Sequence, residues 1–317
     1  MEWQPMGMET IDAAYAIVFP GQGSQFPGMA DPWGTHPAGK RVLEASSAAL
    51  GRDIVQGCHD ETSLATTAFA QPALLACGVA AFEVLLAEGL PETAIVGAAG
   101  HSLGEFAALV AAGVLTLEGA LEVVVIRGAA MQRAGEERPG TMSALLGVGT
   151  GEAEALCDDA RRGDVLVVAN YNSPAQVVIS GSIAAIERAE ALARERKIRA
   201  VRLPVAGAFH SSLMEPAAAV VVAALDQLEF SRPRFPIAEN VTGSLVSDAG
   251  ELRELLGRHV RSAVRWEACA RSLADAGATT FLECGAGDVL TKLAKRVVPG
   301  ARAVAVGSPE AAAIGLA

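Results

Sequence analysis

The chain has 317 residues, of which 51% are hydrophobic and 19% charged, so it can bury a sizeable core and wholesale disorder is excluded. Its formal net charge of −11 disfavours a general nucleic-acid-binding protein, because such proteins are usually basic. The five cysteines include no CxxC pair, which disfavours a disulfide framework or a zinc site and is typical of a reducing cytoplasm.

The beginning of the chain shows no targeting pattern. Residues 1–14 lack a basic segment followed by an apolar one, so we expect a loose leader and no signal peptide. Apolar runs are broken by Gly, Glu or Arg before they reach the length that spans a bilayer. We therefore expect a cytoplasmic protein without a membrane partner, and we expect residues from about 308 onward to form a loose tail.

The first part of the chain alternates strand and helix patterns. Tyr15–Phe19 is an apolar run that stops at a Pro-Gly-Gln-Gly loop, which predicts a strand and then a loop. Residues 39–50 and 71–88 have apolar positions at helical spacing. Further along, the patterns predict a strand at Ala94–Ala99 and helices at Glu105–Val114 and Leu117–Ala134.

Residues 139–205 form a distinct block. Its predicted elements are a strand at Thr141–Val148, a helix at Gly151–Arg162, strands at Val165–Ala169 and Gln176–Ser180, a helix at Ala184–Lys197 and a strand at Ala200–Val205. This β-α-β-β-α-β order is that of a ferredoxin-like unit. We therefore predict an α/β protein in which residues 1–138 and 206–317 form a large domain and residues 139–205 a small inserted subdomain.

The residues around Ser102 have the form G-x-S-x-G. They lie between a predicted strand and a predicted helix, where this motif makes a sharp turn that exposes the serine hydroxyl. The N–H group of Leu103, at the start of the helix, would then be free to donate to an oxyanion. A chance turn in a Gly-rich chain is the alternative, but the strand-turn-helix context favours a nucleophile.

A nucleophilic serine needs a base to accept its proton. Of the five histidines, His36 and His59 lie in polar stretches that are typical of a surface. His210 lies in a loop of small residues between a predicted strand and a predicted helix, so it is either a catalytic base or a histidine with a local structural role. From local chemistry we rank His210 first as the base and His259, on a predicted helix, second.

Arg127 follows four β-branched residues on a strongly apolar helix, so its guanidinium is expected to be buried. A buried guanidinium without a partner is costly. Its partner is either a carboxylate of the protein or the carboxylate of a substrate. Glu122, five residues back, has a poor spacing for a pair on one helix, which leaves a substrate carboxylate open.

Several motifs follow one another along residues 15–306. They are Phe19-Pro20-Gly21-Gln22-Gly23-Ser24-Gln25, Gly100-His101-Ser102-Leu103-Gly104-Glu105, Arg127-Gly128 with Met131-Gln132, Asn172-Ser173-Pro174 with Gln176-Val177-Val178-Ile179-Ser180-Gly181, Ala208-Phe209-His210-Ser211, Val264-Arg265-Trp266 and Glu283-Cys284-Gly285-Ala286-Gly287. In this order they resemble the malonyl-CoA:acyl carrier protein transacylase family, which includes the acyltransferase domains of polyketide synthases.

The resemblance implies a hydrolase-like α/β core with a parallel sheet and a ferredoxin-like insert. It also implies the following roles: Ser102 as nucleophile, His210 as base, the N–H groups of Gln22 and Leu103 as oxyanion donors, Arg127 as the ligand of the malonyl carboxylate, and His101, Phe209 and Asn172 as further substrate-binding residues. Where the family often has Gln, this chain has His259. The role implied there is a backbone carbonyl that holds the catalytic histidine, so we expect the side chain to tolerate change.

The implied activity is transfer of a malonyl group from coenzyme A to the phosphopantetheine thiol of an acyl carrier protein, through a seryl ester. A monomer without metal or other cofactor is expected, in fatty-acid or polyketide biosynthesis. One alternative is a transferase for another acyl group, such as methylmalonyl or a longer chain, and a second is an acyl hydrolase. A carrier-docking module without turnover is a third, which the intact Ser102, His210 and Arg127 disfavour.

Acyl carrier proteins are acidic, so the net charge of −11 opposes their encounter with this chain. A local basic surface would compensate for that repulsion. The candidates are Lys292, Lys295 and Arg296 on the last clear helix, with Arg199 and Arg202 in the small subdomain. An ordinary solvated surface is the alternative, and it carries equal weight.

Overall fold

The computed structural model describes residues 13–316. Its strands are β1 Tyr15–Phe19, β2 Ile95–Gly100, β3 Gly140–Leu146, β4 Leu166–Ser173, β5 Gln176–Ser182, β6 Arg199–Arg202, β7 Ile237–Ala238, β8 Leu245–Val246, β9 Thr280–Cys284 and β10 Arg302–Val306. Its α-helices are α1 Asp31–Gly34, α2 Pro37–Leu50, α3 Ile54–Gly57, α4 Glu61–Leu64, α5 Thr67–Ala87, α6 Gly104–Ala111, α7 Leu117–Glu137, α8 Thr150–Arg161, α9 Ile183–Glu195, α10 Glu215–Leu225, α11 Ala249–His259, α12 Trp266–Asp275, α13 Val289–Val297 and α14 Pro309–Leu316.

The larger sheet has the strand order β10-β9-β1-β2-β7-β8. Its first five strands are parallel, and β8 is antiparallel to β7. Both faces of β1 are buried: Ile17 and Phe19 pack in the core that includes α5, while Ala16 and Val18 pack against α12 and α13. Burial on both faces explains why the sequence of β1 is apolar throughout. The α/β class predicted from the sequence is confirmed.

The smaller sheet is antiparallel and has the order β4-β5-β3-β6. Its side chains alternate between two cores, because successive residues of a strand point to opposite faces. Leu145 and Ile179 pack on the helices α8 and α9, whereas Met142 and Val178 belong to the core of the larger sheet. All of its strands lie within residues 139–205, in the β-α-β-β-α-β order. The domain limits at residues 138 and 206 themselves stay a prediction.

The predicted loose tail is wrong over residues 308–316. Helix α14 begins after Ser308, whose hydroxyl accepts the N–H of Ala311 at 3.3 Å, and it buries Ala312 against the core. The strand β10 that precedes it pairs in register with β9 at the sheet edge. A five-residue edge strand and a short Ala-rich helix are weak patterns alone, and tertiary pairing stabilises them. The predicted leader, residues 1–14, lies almost wholly outside the described residues.

Helix α5 corrects the prediction that no apolar segment reaches bilayer length. Within residues 13–316 it is the one helix that is long and apolar enough to cross a membrane. Its most apolar window is 89% buried inside the protein. The helix is therefore a core helix that packs on its neighbours, and a Cβ on its Gly78 would lie 3.1 Å from the ring of Phe19 on the central strand.

Candidate functional site

The turn at Ser102 joins the end of β2 to the start of α6, and it places Ser102 in the left-handed region with φ 53°. The two flanking glycines are required by close backbone packing. A Cβ on Gly100 would lie 1.8 Å from the carbonyl carbon of Gly104, and a Cβ on Gly104 would lie 2.1 Å from the carbonyl oxygen of Phe19. The G-x-S-x-G spacing therefore produces the strained turn that the sequence predicts.

Ser102 and His210 form a hydrogen bond of 2.8 Å between Oγ and Nε2. The other ring nitrogen of His210, Nδ1, lies 3.1 Å from the carbonyl oxygen of His259 and 2.9 Å from that of Ser262. Carbonyl oxygens only accept, so Nδ1 carries the proton and Nε2 is free to accept the serine proton. Burial, reinforced by the Arg127 charge, lowers the pKa of His210 to about 3, so the ring is neutral near pH 7.

His259 holds the base through its backbone, as the resemblance implies, and its side chain is also packed beside the site. The ring is fully buried, its centroid lies 5.3 Å from that of the His210 ring at an interplanar angle of 51°, and its Nε2 lies 3.2 Å from Oδ1 of Asn240. Burial lowers the pKa of His259 and raises that of Glu105 to about 8, so their 3.9 Å contact joins neutral groups. The expectation of a tolerant side chain at 259 stays a prediction.

The side chain of Arg127 is 1% exposed and lies beside Ser102. Its Nη1 donates to Oε1 of Gln71 at 2.7 Å, and its Nη2 donates to Ser102 Oγ at 3.1 Å. Its Nε is buried without a partner, and within residues 13–316 no carboxylate lies within 4.0 Å of the guanidinium. Burial lowers its pKa to about 10, so Arg127 remains a cation near neutral pH.

The two predicted oxyanion donors come from different loops. Gln22 follows β1 and Leu103 begins the turn into α6, and both line the cavity beside Ser102. Across the described part of the chain, neither N–H group donates to a protein acceptor. Two uncommitted N–H groups beside a serine hydroxyl are the donors that a tetrahedral oxyanion requires.

All eight predicted catalytic, oxyanion and substrate residues line one cavity of about 510 Å³. His101 and Asn172 join across it, with 2.8 Å between Nε2 and Oδ1, and Phe209 adds an apolar wall beside the base. The floor of the cavity is formed by the smaller sheet through Met142 and Val178, and one side by α13. The fold thus brings together residues from distant parts of the chain, since the loop after β1 and the helix α13 both line this site.

The five basic residues proposed for the carrier surface lie outside the cavity. Lys292 pairs with Asp288, which directly precedes α13, and Arg202 makes two hydrogen bonds to Glu190. Lys295 is exposed, and over residues 13–316 it makes no ion pair. Arg296 donates to the side chain of Gln176, which lines the cavity, and Arg199 is exposed on the edge strand β6. Of the five, the basic residues of α13 therefore lie on the element that also lines the cavity, through Val289, Leu290 and Leu293.

Sequence reasoning missed Gln71 and Asn240. Gln71 is buried on the apolar helix α5, where it accepts from Arg127 and donates to Oε1 of Gln22 at 3.3 Å. A lone Gln in an apolar helix, directly before Pro72, was the available signal. Asn240 follows β7, and polar residues at the carboxyl ends of parallel strands are the place to look for function. Within the described residues, no group of three His, Cys, Asp or Glu side chains could hold a metal.

The chain is similar to known proteins in both sequence and structure. Residues 16–313 match the family model of the acyl transferase domain. The malonyl CoA-acyl carrier protein transacylase of Salmonella typhimurium is 39% identical over 303 residues, which cover 94% of this chain and 97% of that protein. The solved transacylase of Coxiella burnetii has a TM-score of 0.93 at 34% identity, covering 96% of this chain and 98% of that one.

A second solved structure contains a bound partner. It is a type II polyketide synthase acyl-carrier protein in complex with its malonyl-transacylase, and its match has a TM-score of 0.92 at 36% identity. The match covers 96% of this chain and 99% of that chain. The length and fold of this chain therefore agree with those of the solved transacylases over nearly the whole molecule.

Proposed function

The chain belongs to the acyltransferase family that its motifs indicate, and on this premise we propose that it transfers a malonyl group from coenzyme A to the phosphopantetheine thiol of an acyl carrier protein. The observation that carries the proposal is the buried guanidinium of Arg127, 3.1 Å from the hydroxyl of Ser102. A nucleophile with a base on one side and an unpaired cation on the other suits an acyl group that ends in a carboxylate.

In the first half-reaction, Ser102 Oγ attacks the thioester carbonyl while Nε2 of His210 takes the hydroxyl proton. The N–H groups of Gln22 and Leu103 stabilise the oxyanion of the tetrahedral intermediate. As the intermediate collapses, the carbon–sulfur bond breaks and the His210 imidazolium gives its proton to the departing coenzyme A thiolate. A malonyl-serine ester and a free thiol remain.

The second half-reaction runs the same steps in reverse with the carrier thiol. The neutral ring of His210 now takes the proton of the phosphopantetheine thiol, and the thiolate attacks the ester. Collapse returns the proton to Ser102 Oγ and leaves a malonyl thioester on the carrier. One thioester is exchanged for another, so a nucleophile, a base and an oxyanion site suffice, and the proposal includes no metal or other cofactor.

The guanidinium of Arg127 is arranged to hold the malonyl carboxylate. Gln71 fixes Nη1, which leaves Nε and Nη2 on the side that faces away from Gln71. Nε has no partner and Nη2 contacts only Ser102 Oγ, so these two N–H groups offer a fork for one carboxylate. A carboxylate bound there would draw the acyl group to the nucleophile and release the serine hydroxyl from its bond with Arg127.

Transfer and hydrolysis are separated by one assay. We expect malonyl-CoA alone to give an acyl-enzyme with little free malonate, because only a thiol partner completes the exchange. Addition of phosphopantetheinylated carrier protein should then give malonyl-carrier at a rate well above that of malonate release. Mass spectrometry of both products provides the measurement. Malonate release that exceeds malonyl-carrier formation would instead support the acyl hydrolase, which remains the alternative together with transfer of methylmalonyl or a longer acyl group.

For the carrier protein we propose a docking surface made by the exposed basic residues of α13, next to the cavity opening. Charge reversal of Lys295 should raise the KM for carrier protein severalfold and leave the KM for malonyl-CoA unchanged, because the surface is met only by the carrier. Reversal of Arg253, which pairs with Asp226 away from the cavity, is the matched control. If both reversals change the carrier KM equally, the effect is one of net charge and α13 is not the docking surface.

We place Arg202 lower as a carrier contact, because Glu190 already neutralises it. The proposal also includes a monomer in the cytoplasm, acting without a nucleic-acid or membrane partner. The five cysteines are free and buried, as suits a reducing compartment.

A further inference from the structure

Behind the Ser102 turn, on the side away from the cavity, lies a cluster of buried polar side chains. Glu105, Glu239, Asn240 and His259 are each exposed to 1% or less, and none of them lines the cavity. Buried polar groups are costly unless they are paired, so a cluster of this kind needs a reason to exist. The proposed reaction cycle uses none of these side chains directly.

The side-chain amide of Asn240 bridges the two sides of the turn. Its Oδ1 accepts the backbone N–H of Ser102 at 2.8 Å, and its Nδ2 donates to the backbone carbonyl of Gly100 at 2.7 Å. The backbone fixes the orientation of the amide, since an N–H can only donate and a carbonyl can only accept. Asn240 thereby supplies the hydrogen bonds that a neighbouring strand would otherwise make with the backbone at the end of β2.

The turn needs such support because Ser102 has φ 53°, a conformation that costs free energy in a residue other than glycine and persists only when its surroundings hold it. The bond to Asn240 also occupies the N–H of Ser102 itself. That N–H is consequently withheld from an oxyanion, and the adjacent N–H of Leu103 is left as the donor on this side of the site.

Asn240 also contacts the residue that holds the base. Its Oδ1 lies 3.2 Å from Nε2 of His259, whose backbone carbonyl accepts from Nδ1 of His210. The backbone N–H of Asn240 donates in turn to Oε2 of Glu105, on the first turn of α6. A chain of contacts therefore runs from the nucleophile through Asn240 and His259 to the base.

We infer that Asn240 is a positioning residue, which holds the Ser102 turn in its strained form and fixes it relative to His210. It touches no reacting atom, and it leaves the malonyl-binding groups Arg127 and Gln71 untouched. Loss of its amide should therefore misplace Ser102 Oγ without weakening substrate binding. A displacement of about 1 Å at a nucleophile can reduce a rate about 100-fold.

The test is single-turnover acylation by malonyl-CoA, followed by intact-mass detection of the acyl-enzyme. In Asn240→Ala we expect the maximal rate to fall about 100-fold while the half-saturating malonyl-CoA concentration stays within about twofold. Leu85→Ala, a fully buried core residue on α5, is the control for loss of stability, and its rate per folded molecule should equal that of the native enzyme. The folded fraction comes from near-ultraviolet circular dichroism at the assay temperature. An Asn240→Ala rate within about threefold of the Leu85→Ala rate would overturn the inference.

Asn240→Asp provides a second test if the alanine variant fails to fold. A protonated carboxyl can accept from Ser102 and donate to Gly100, as the amide does, whereas a carboxylate can only accept. The groups that face the position are Glu105 from α6, Glu239 before it in the chain, His259 from α11 and Cys269 from α12. Burial favours the neutral carboxyl, so the acylation rate relative to native should be highest near pH 6 and fall about tenfold or more towards pH 9. A ratio that stays flat over this range would contradict the positioning role.

This inference rests on the proposed acylation of Ser102. The same acylation experiments distinguish failure of the proposed function from failure of the positioning role. If the native enzyme forms no malonyl adduct, the proposed function fails. If the native enzyme acylates normally and Asn240→Ala acylates equally fast, only the positioning role of Asn240 fails.

Discussion

Replacement of Ser102 with alanine is expected to abolish the malonyl adduct and to lower transfer by several orders of magnitude. The substitution removes Oγ, the one atom that forms the ester, and leaves both Nε2 of His210 and Nη2 of Arg127 without their partner. Loss of a serine nucleophile from a serine–histidine unit costs about 10⁴–10⁶ in rate. The measurement is intact mass after incubation with malonyl-CoA, together with the rate of malonyl-carrier formation.

Ser46→Ala is the matched control for Ser102→Ala. Ser46 is fully buried on α2, its hydroxyl has no hydrogen-bond partner, and it lies outside the cavity. Its variant should therefore gain the malonyl mass at the native rate. A Ser102→Ala protein that still gains this mass would show that the ester forms elsewhere, and the assignment of the nucleophile would be lost.

Replacement of Arg127 with alanine is expected to weaken malonyl transfer by about 2–5 kcal/mol, the range for truncation of one partner of a buried charge pair. The guanidinium of Arg127 is 1% exposed, and its Nε has no hydrogen-bond partner. A carboxylate bound to it is therefore shielded from water, and the contact is strong. Acetyl-CoA carries no carboxylate, so its transfer should fall much less or rise. The change is read as kcat/KM for malonyl-CoA and acetyl-CoA in both proteins.

The native enzyme should also prefer malonyl-CoA to methylmalonyl-CoA, since Leu103 and Phe209 restrict the space beside the nucleophile. Both should be preferred to acetyl-CoA, which has no carboxylate for Arg127. Equal losses for malonyl and acetyl transfer in Arg127→Ala would make Arg127 a structural residue. Arg133→Ala, on an outer part of the same helix α7, controls for a general effect of removing a charge from that helix. Its malonyl-to-acetyl ratio should match that of the native protein.

The order of elements could be predicted from the sequence where burial leaves a strong pattern. Tyr15–Phe19 has the bounds that the apolar pattern predicts, because it is buried on both faces. The last clear helix is α13, which presents one clear apolar face to the core. β8, with two residues, and the edge strand β10 were not predicted. Their stability comes from pairing with β7 and β9, and local sequence does not record such pairing.

The residues of the site also divide into those that a local sequence pattern identifies and those that it does not. Ser102 and His210 stand in loops of small residues with a local chemical signature, and the structure brings them to 2.8 Å. Gln71 and Asn240 act through contacts with residues 56 and 138 positions away, so no local pattern identifies their partners. His259 illustrates the same limit: its backbone role follows from the resemblance, while the burial of its ring depends on how α11 packs.

The central claim is that one serine carries the malonyl group between two thiols, and the isolated acyl-enzyme tests it most directly. Native protein is incubated with malonyl-CoA, freed of coenzyme A by rapid gel filtration, and mixed with phosphopantetheinylated carrier protein. Intact mass is then followed for both proteins. We predict that the malonyl mass leaves the enzyme and appears on the carrier in equal amount. Loss of the enzyme-bound malonyl group as free malonate, with no malonyl mass on the carrier, would contradict the account.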